Sequence, residues 1–92
     1  AGGLLLRQNT PNPVSLGSRG NTAISYTLPD ETTVALDLYD LIGRHIRRID
    51  AGSRAKGSHT VLVDVRALRS GTYMYVLRTA TGSAVRRMVV VP

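Results

Sequence analysis

Leu68-Arg69-Ser70-Gly71-Thr72-Tyr73-Met74-Tyr75-Val76-Leu77 passes from a loop into an alternating strand at a Gly-x-Tyr step, and its reading decides the fold. From Tyr73 onward, Tyr73, Tyr75 and Leu77 share one face and Met74, Val76 and Arg78 the other, the period of two of a half-buried strand. In β-sandwiches a tyrosine at the start of a late strand can return its hydroxyl to the backbone a few residues upstream, pinning the crossover between the sheets. Tyr73 stands where such a corner requires it. Gly71 supplies a permissive backbone before it, and Leu68 is placed to plug the end of the core beneath the loop.

The same alternation recurs along the chain at short intervals, which argues for strands and against long helices. Ile24, Tyr26 and Leu28 share a face over 21–28; Val34, Leu36 and Leu38 do so over 33–40, with Asp37 and Tyr39 opposite. Asp40-Leu41-Ile42-Gly43 reads as a four-residue hairpin connection, its carboxylate able to accept a turn amide and Gly43 able to take positive φ. The stretch 44–50 is the least regular and is expected at a sheet edge, where arginines deter pairing with another sheet. Residues 51–56 read as a polar loop. In the following strand His59, Val61 and Val63 oppose Thr60, Leu62 and Asp64. A hairpin at Ala80-Thr81-Gly82-Ser83 leads to a last strand over 84–91, with Met88 and Val90 on one side and Val89 and Val91 on the other.

Residues 4–6 are a possible first edge strand, but Asn9-Thr10-Pro11-Asn12-Pro13 cannot sit inside a central strand. The expectation is an all-β, seven-stranded immunoglobulin-like or fibronectin-like β-sandwich, with strands one, two and five in one sheet and four, three, six and seven in the other. Residues 1–13 are then an N-terminal linker with a possible edge strand, and 14–92 the sandwich.

Ninety-two residues make one domain. There are no cysteines, hence neither a disulfide framework nor a thiolate metal site. No apolar run approaches the roughly 18 residues of a membrane span. Residues 1–7 have too short an apolar core and no basic start for a secretory signal, and the missing initiator methionine is compatible with a segment of a longer precursor.

Net charge is +6, and every basic residue except Lys56 is an arginine. The arginines are scattered and Phe and Trp are absent, so a solvated basic surface or contact with an anionic partner is favoured over nucleic-acid binding.

Asp30, Glu31, Asp37, Asp40, Asp50 and Asp64 all fall at turns, strand ends or a solvent face, and no spacing among them builds a catalytic carboxylate pair. His45 and His59 lack clustered ligands for zinc, and His59 is expected at the edge of the core face with one nitrogen hydrogen-bonded. No serine lies in a nucleophile elbow, and Gly17-Ser18-Arg19-Gly20 lacks the following lysine of a phosphate loop. No catalytic residue, metal or cofactor is expected, and the residues alone point to a basic binding or recognition module.

Three stretches in order resemble the type A C-terminal sorting domain of the bacterial type IX secretion system. They are Leu6-Arg7-Gln8-Asn9-Thr10-Pro11-Asn12-Pro13 with Ile24-Ser25-Tyr26-Thr27-Leu28-Pro29; Val34-Ala35-Leu36-Asp37-Leu38-Tyr39-Asp40-Leu41-Ile42-Gly43-Arg44; and Leu68 to Leu77 with Arg86-Arg87-Met88-Val89-Val90-Val91. The resemblance implies a seven-stranded sandwich carried behind an N-terminal cargo domain and read by an outer-membrane translocon. It also implies removal by a sortase-like peptidase, with passage through the periplasm to the cell surface or the medium. Gly71, Tyr73 and the terminal basic-apolar run Arg86 to Val91, with Arg86 and Arg87 as its charges, match the family's best-marked signal segment; Asp40, Gly43 and Leu68 are structural residues of the hairpin and the corner read above. Arginine replaces the lysine frequent in the terminal run, which keeps the charge but changes the hydrogen-bonding fork. Val63 stands where the family often has an aromatic.

A related resemblance, through Tyr-Asp-x-x-Gly-Arg, is to the immunoglobulin-like part of flagellar hook-capping proteins. The alternative is a structural or carbohydrate-binding sandwich appended to a secreted enzyme, for which Tyr39 is the one obvious outward aromatic.

Overall fold

The computed structural model describes residues 4–17 and 20–92, and every regular element in them is a strand. In chain order these are β1 (Leu5–Leu6), β2 (Val14–Ser15), β3 (Asn21–Leu28), β4 (Thr32–Asp40), β5 (His45–Arg54), β6 (Gly57–Asp64), β7 (Gly71–Thr79) and β8 (Gly82–Val91). They form a three-stranded sheet of order β1-β3-β6 and a five-stranded sheet of order β2-β8-β7-β4-β5. All pairings are antiparallel except β2 on β8.

The core lies between the inner faces. Ile24, Tyr26 and Leu28 from β3 meet Val34, Leu36 and Leu38 from β4 and Tyr75 and Leu77 from β7. Leu36 and Leu77 are cross-strand partners, both without exposure. Full burial of such a side chain is worth about 1.5–3 kcal/mol, so these alternating positions supply the main driving force. Val63 is buried in the same core.

Polar bonds ring this apolar centre. On one flank the Tyr26 hydroxyl donates to Asp50 Oδ2 (2.9 Å) and Arg47 Nη1 to the Asp64 carbonyl (2.8 Å). On the other, the Tyr75 hydroxyl reaches the Arg7 carbonyl (2.7 Å) and Arg86 Nε the Leu6 carbonyl (2.9 Å). Each bond ties one sheet to the other.

The predicted sheet membership agrees with this arrangement, and the irregular 44–50 stretch does lie at an edge. Three details differ. There are eight strands, because Val14–Ser15 adds to β8; two residues are too few to show alternation. Residues 51–54 are strand rather than loop: β5 runs on to Arg54, opposite Thr32. Register shifts between Leu36 and Asp37 and between Leu38 and Tyr39 break the period of β5 against β4, and Gly52 at φ 126° breaks it again, which hid the strand from its sequence pattern. Asp37, though on the outward face, is only 2% exposed, because arginine and histidine side chains fold over it.

Residues 7–13 are sewn onto the sandwich by side-chain amides. Asn9 is buried and donates to Thr22 Oγ1 (3.0 Å) and the Pro11 carbonyl (3.1 Å), while Thr10 bridges Ala23. The Thr10–Pro11 and Asn12–Pro13 bonds are cis.

Candidate recognition surfaces

At the end of the sandwich where β7 begins, the Tyr73 hydroxyl donates to the Arg69 carbonyl at 2.7 Å, closing a tyrosine corner across four residues. Gly71 enters the strand at φ 152°, a conformation that side chains with a Cβ rarely adopt. Leu68, whose amide donates to the Val65 carbonyl, packs half-buried on the core. In the neighbouring hairpin Asp40 Oδ1 accepts from the amides of Ile42 (3.1 Å) and Arg44 (2.9 Å), and Gly43 turns at φ 87°. The Arg44 guanidinium adds an ion pair at 3.4 Å. This rigid turn carries Leu41 and Ile42 outward, Ile42 being 81% exposed. Asp40, Leu68 and Tyr73 thus line one open cleft of about 480 Å³ with Arg44, Ile46, Ala67 and Arg69.

Arg86 and Arg87 lie farther along β8 and diverge. Arg86 belongs to the inward-facing row with Met88 and Val90, and its guanidinium is spent on the Leu6 carbonyl across the sheets. Arg87 belongs to the outward row, is exposed, and has no carboxylate partner among the described residues. Its carbonyl accepts from Gln8 Nε2, and the next outward amide, that of Val89, donates to Asn12 Oδ1 (2.9 Å). Sequence reasoning missed these roles of Gln8, Asn9 and Asn12. The signal was present as an amide-rich run between prolines, because such side chains readily bond backbone groups.

The outward face of the larger sheet holds the Asp37 cluster. Arg48 Nε (3.0 Å) and His45 Nε2 (2.9 Å) donate to Asp37 Oδ1, and Arg78 Nη1 lies 3.7 Å from Oδ2. Burial opposes ionisation of Asp37, but the hydrogen bonds from Arg48 and His45 outweigh it and hold the carboxyl below its usual range. Tyr39 is covered by the same cluster. The Arg78 guanidinium sits 5.5 Å over its ring and donates to its hydroxyl, and His45 meets it edge-on. A sugar-stacking platform needs an open ring face, and one face of Tyr39 is taken by Arg78.

His59 stacks on Tyr26 at the edge of the core and bonds the Ala55 carbonyl at 2.7 Å, as expected. The described residues contain no group of three or more His, Cys, Asp or Glu able to hold a metal ion, and no helix long and apolar enough to cross a membrane. Ser18 and Arg19, in the stretch discounted as a phosphate loop, and residues 1–3 of the N-terminal stretch lie outside the described residues.

A two-sheet sandwich with a tyrosine corner, a capped hairpin and a cationic last strand defines a recognition domain. The chain belongs to the secretion system C-terminal sorting domain family, whose sequence pattern matches residues 10–91. It is a sorting signal for type IX secretion and directs a cargo protein for export to the cell surface or the medium. No curated protein matches the chain.

Proposed function

We propose that the outer-membrane translocon of the type IX system reads this domain in the periplasm through the segment that carries Gly71, Tyr73, Arg86 and Arg87. In this reading a sortase-like peptidase then removes it from its N-terminal cargo; within the expected 1–13 linker, residues 5–13 are docked on the sandwich through β1 and Asn9. The domain itself performs no chemistry and needs no cofactor. The observation that carries the reading is the fixed cationic presentation on β8: Met88 and Val90 are locked in the core while Arg87 beside them projects without a carboxylate partner among the described residues. A charge held in one place by core packing attracts an anionic surface with little ordering cost and weakens as salt rises. Gly71 and Tyr73 contribute by shape, since the corner sets where β7 starts and, opposite it, where β8 ends.

The test is a fusion of this domain behind a reporter in a host with and without the translocon. Export that occurs only with the translocon supports the reading; retention in both, or export in both, contradicts it.

A further inference from the structure

The outer edge of β8 is half closed. Its partner β2 covers only Val90 and Val91, and the side chains of Gln8 and Asn12 take the Arg87 carbonyl and the Val89 amide. Because Val89 N–H and Val91 C=O point away from β7, the period of two turns the backbone groups of Ser83, Val85 and Arg87 the same way. Among the described residues nothing pairs with the N–H and C=O of Ser83 and Val85 or with the Arg87 N–H. An unpaired row of this kind is a template for another strand.

Its surroundings select which strand. Val85 is 54% exposed on the outward face, Arg87 follows it in the same row, and Arg86 and Arg7 stand where β8 approaches β1. Among the described residues no acidic side chain offsets them there. Asp37, Asp40, Asp50 and Asp64 are all bonded to other arginines, and Asp30 and Glu31 sit in the β3–β4 turn. A second copy pairing β8 to β8 would bring arginine against arginine between chains of net charge +6.

We propose that the Ser83–Arg87 edge of β8 accepts an extended acidic segment of a partner protein by strand addition, its backbone pairing with Val85 and Arg87 and its carboxylates meeting the arginines. This rests on the reading that the translocon contacts β8, and it names the mode of that contact. Backbone pairing fixes the register, and the arginines provide preference for acid over base.

The experiment titrates the 92-residue chain with a fluorescein-labelled peptide of alternating glutamate and valine, read by anisotropy and by amide hydrogen exchange. Expected are saturable binding, slowed exchange at Val85 and Arg87, and at least tenfold weaker binding of three probes or variants. These are a peptide N-methylated at alternate backbone positions, a lysine–valine peptide, and the folded Arg87→Glu chain. Val85→Pro, which removes an outward N–H without touching the β7 ladder, is expected to do the same. Absence of binding, or equal binding of the N-methylated peptide, overturns strand addition. Loss of export in an Arg87→Gln fusion, when the parent chain itself does not bind the acidic peptide, would overturn it too, while leaving the translocon reading in place.

Discussion

The Tyr75 hydroxyl donates a 2.7 Å hydrogen bond to the carbonyl of Arg7, 68 residues earlier in the chain and on the other sheet. Two positions before it on the same face of β7, Tyr73 makes a bond of equal length to Arg69, only four residues upstream. One tyrosine therefore fixes the spacing of the two sheets along a flank, and the other fixes a local corner. The consequences of removing them differ accordingly.

Tyr73→Ala is expected to destabilise the fold by about 3 kcal/mol or more, the cost of a truncated core aromatic plus an orphaned Arg69 carbonyl. Tyr73→Phe keeps the packing and should cost about 1–2 kcal/mol. Chemical denaturation of the two variants checks this; unchanged midpoints would remove the corner from the account.

Alkaline stability should reflect Tyr26 and Tyr75. Desolvation by burial, with the Asp50 carboxylate adding to it for Tyr26, pushes both phenols up from 10.0 to about 12. Because the folded values are raised, the stabilisation they bring is fully present below pH 10.0 and is lost as pH rises toward about 12. Thermal melts over this range should fall less steeply for Tyr75→Phe than for the parent chain.

The acid limb has the opposite sign. Asp64 is held at about 2 by hydrogen bonds from Arg66. Asp37 and Asp50 sit below their usual range because their arginine, histidine and tyrosine partners outweigh desolvation. Folded values that are depressed give stability that is present above the ordinary carboxylate value of 3.8 and is lost as pH falls through the folded ones. Asp37→Ala, which leaves Arg48, His45 and Arg78 facing one another, should cost about 1–3 kcal/mol at neutral pH and flatten the loss of stability at low pH.

Much of this was legible because burial on one face of a strand writes a period of two into the sequence: Tyr73, Tyr75 and Leu77 are inward as their spacing required, and Asp40 caps its hairpin. What the pattern could not carry was anything decided across the sheets. Asp37 has outward parity yet is buried, because Arg48, Arg78 and His45 cover it from other positions in the chain. Arg86 and Arg87 looked equivalent as neighbours. Only the approach of β1 to β8 gives Arg86 a structural partner in Leu6 and leaves Arg87 projecting.

The arginines therefore separate stability from recognition. Arg86→Gln should lower stability by about 1 kcal/mol through loss of its bond to the Leu6 carbonyl, whereas Arg87→Gln should leave the denaturation midpoint unchanged.

Secretion of a reporter fused to this domain, compared between the parent and the Arg86→Gln, Arg87→Gln double variant, with circular dichroism confirming the fold, tests the central claim most directly. The account predicts a folded sandwich whose cargo is exported several-fold less and accumulates inside the outer membrane. Normal export by the folded double variant would contradict it and take both arginines out of the signal.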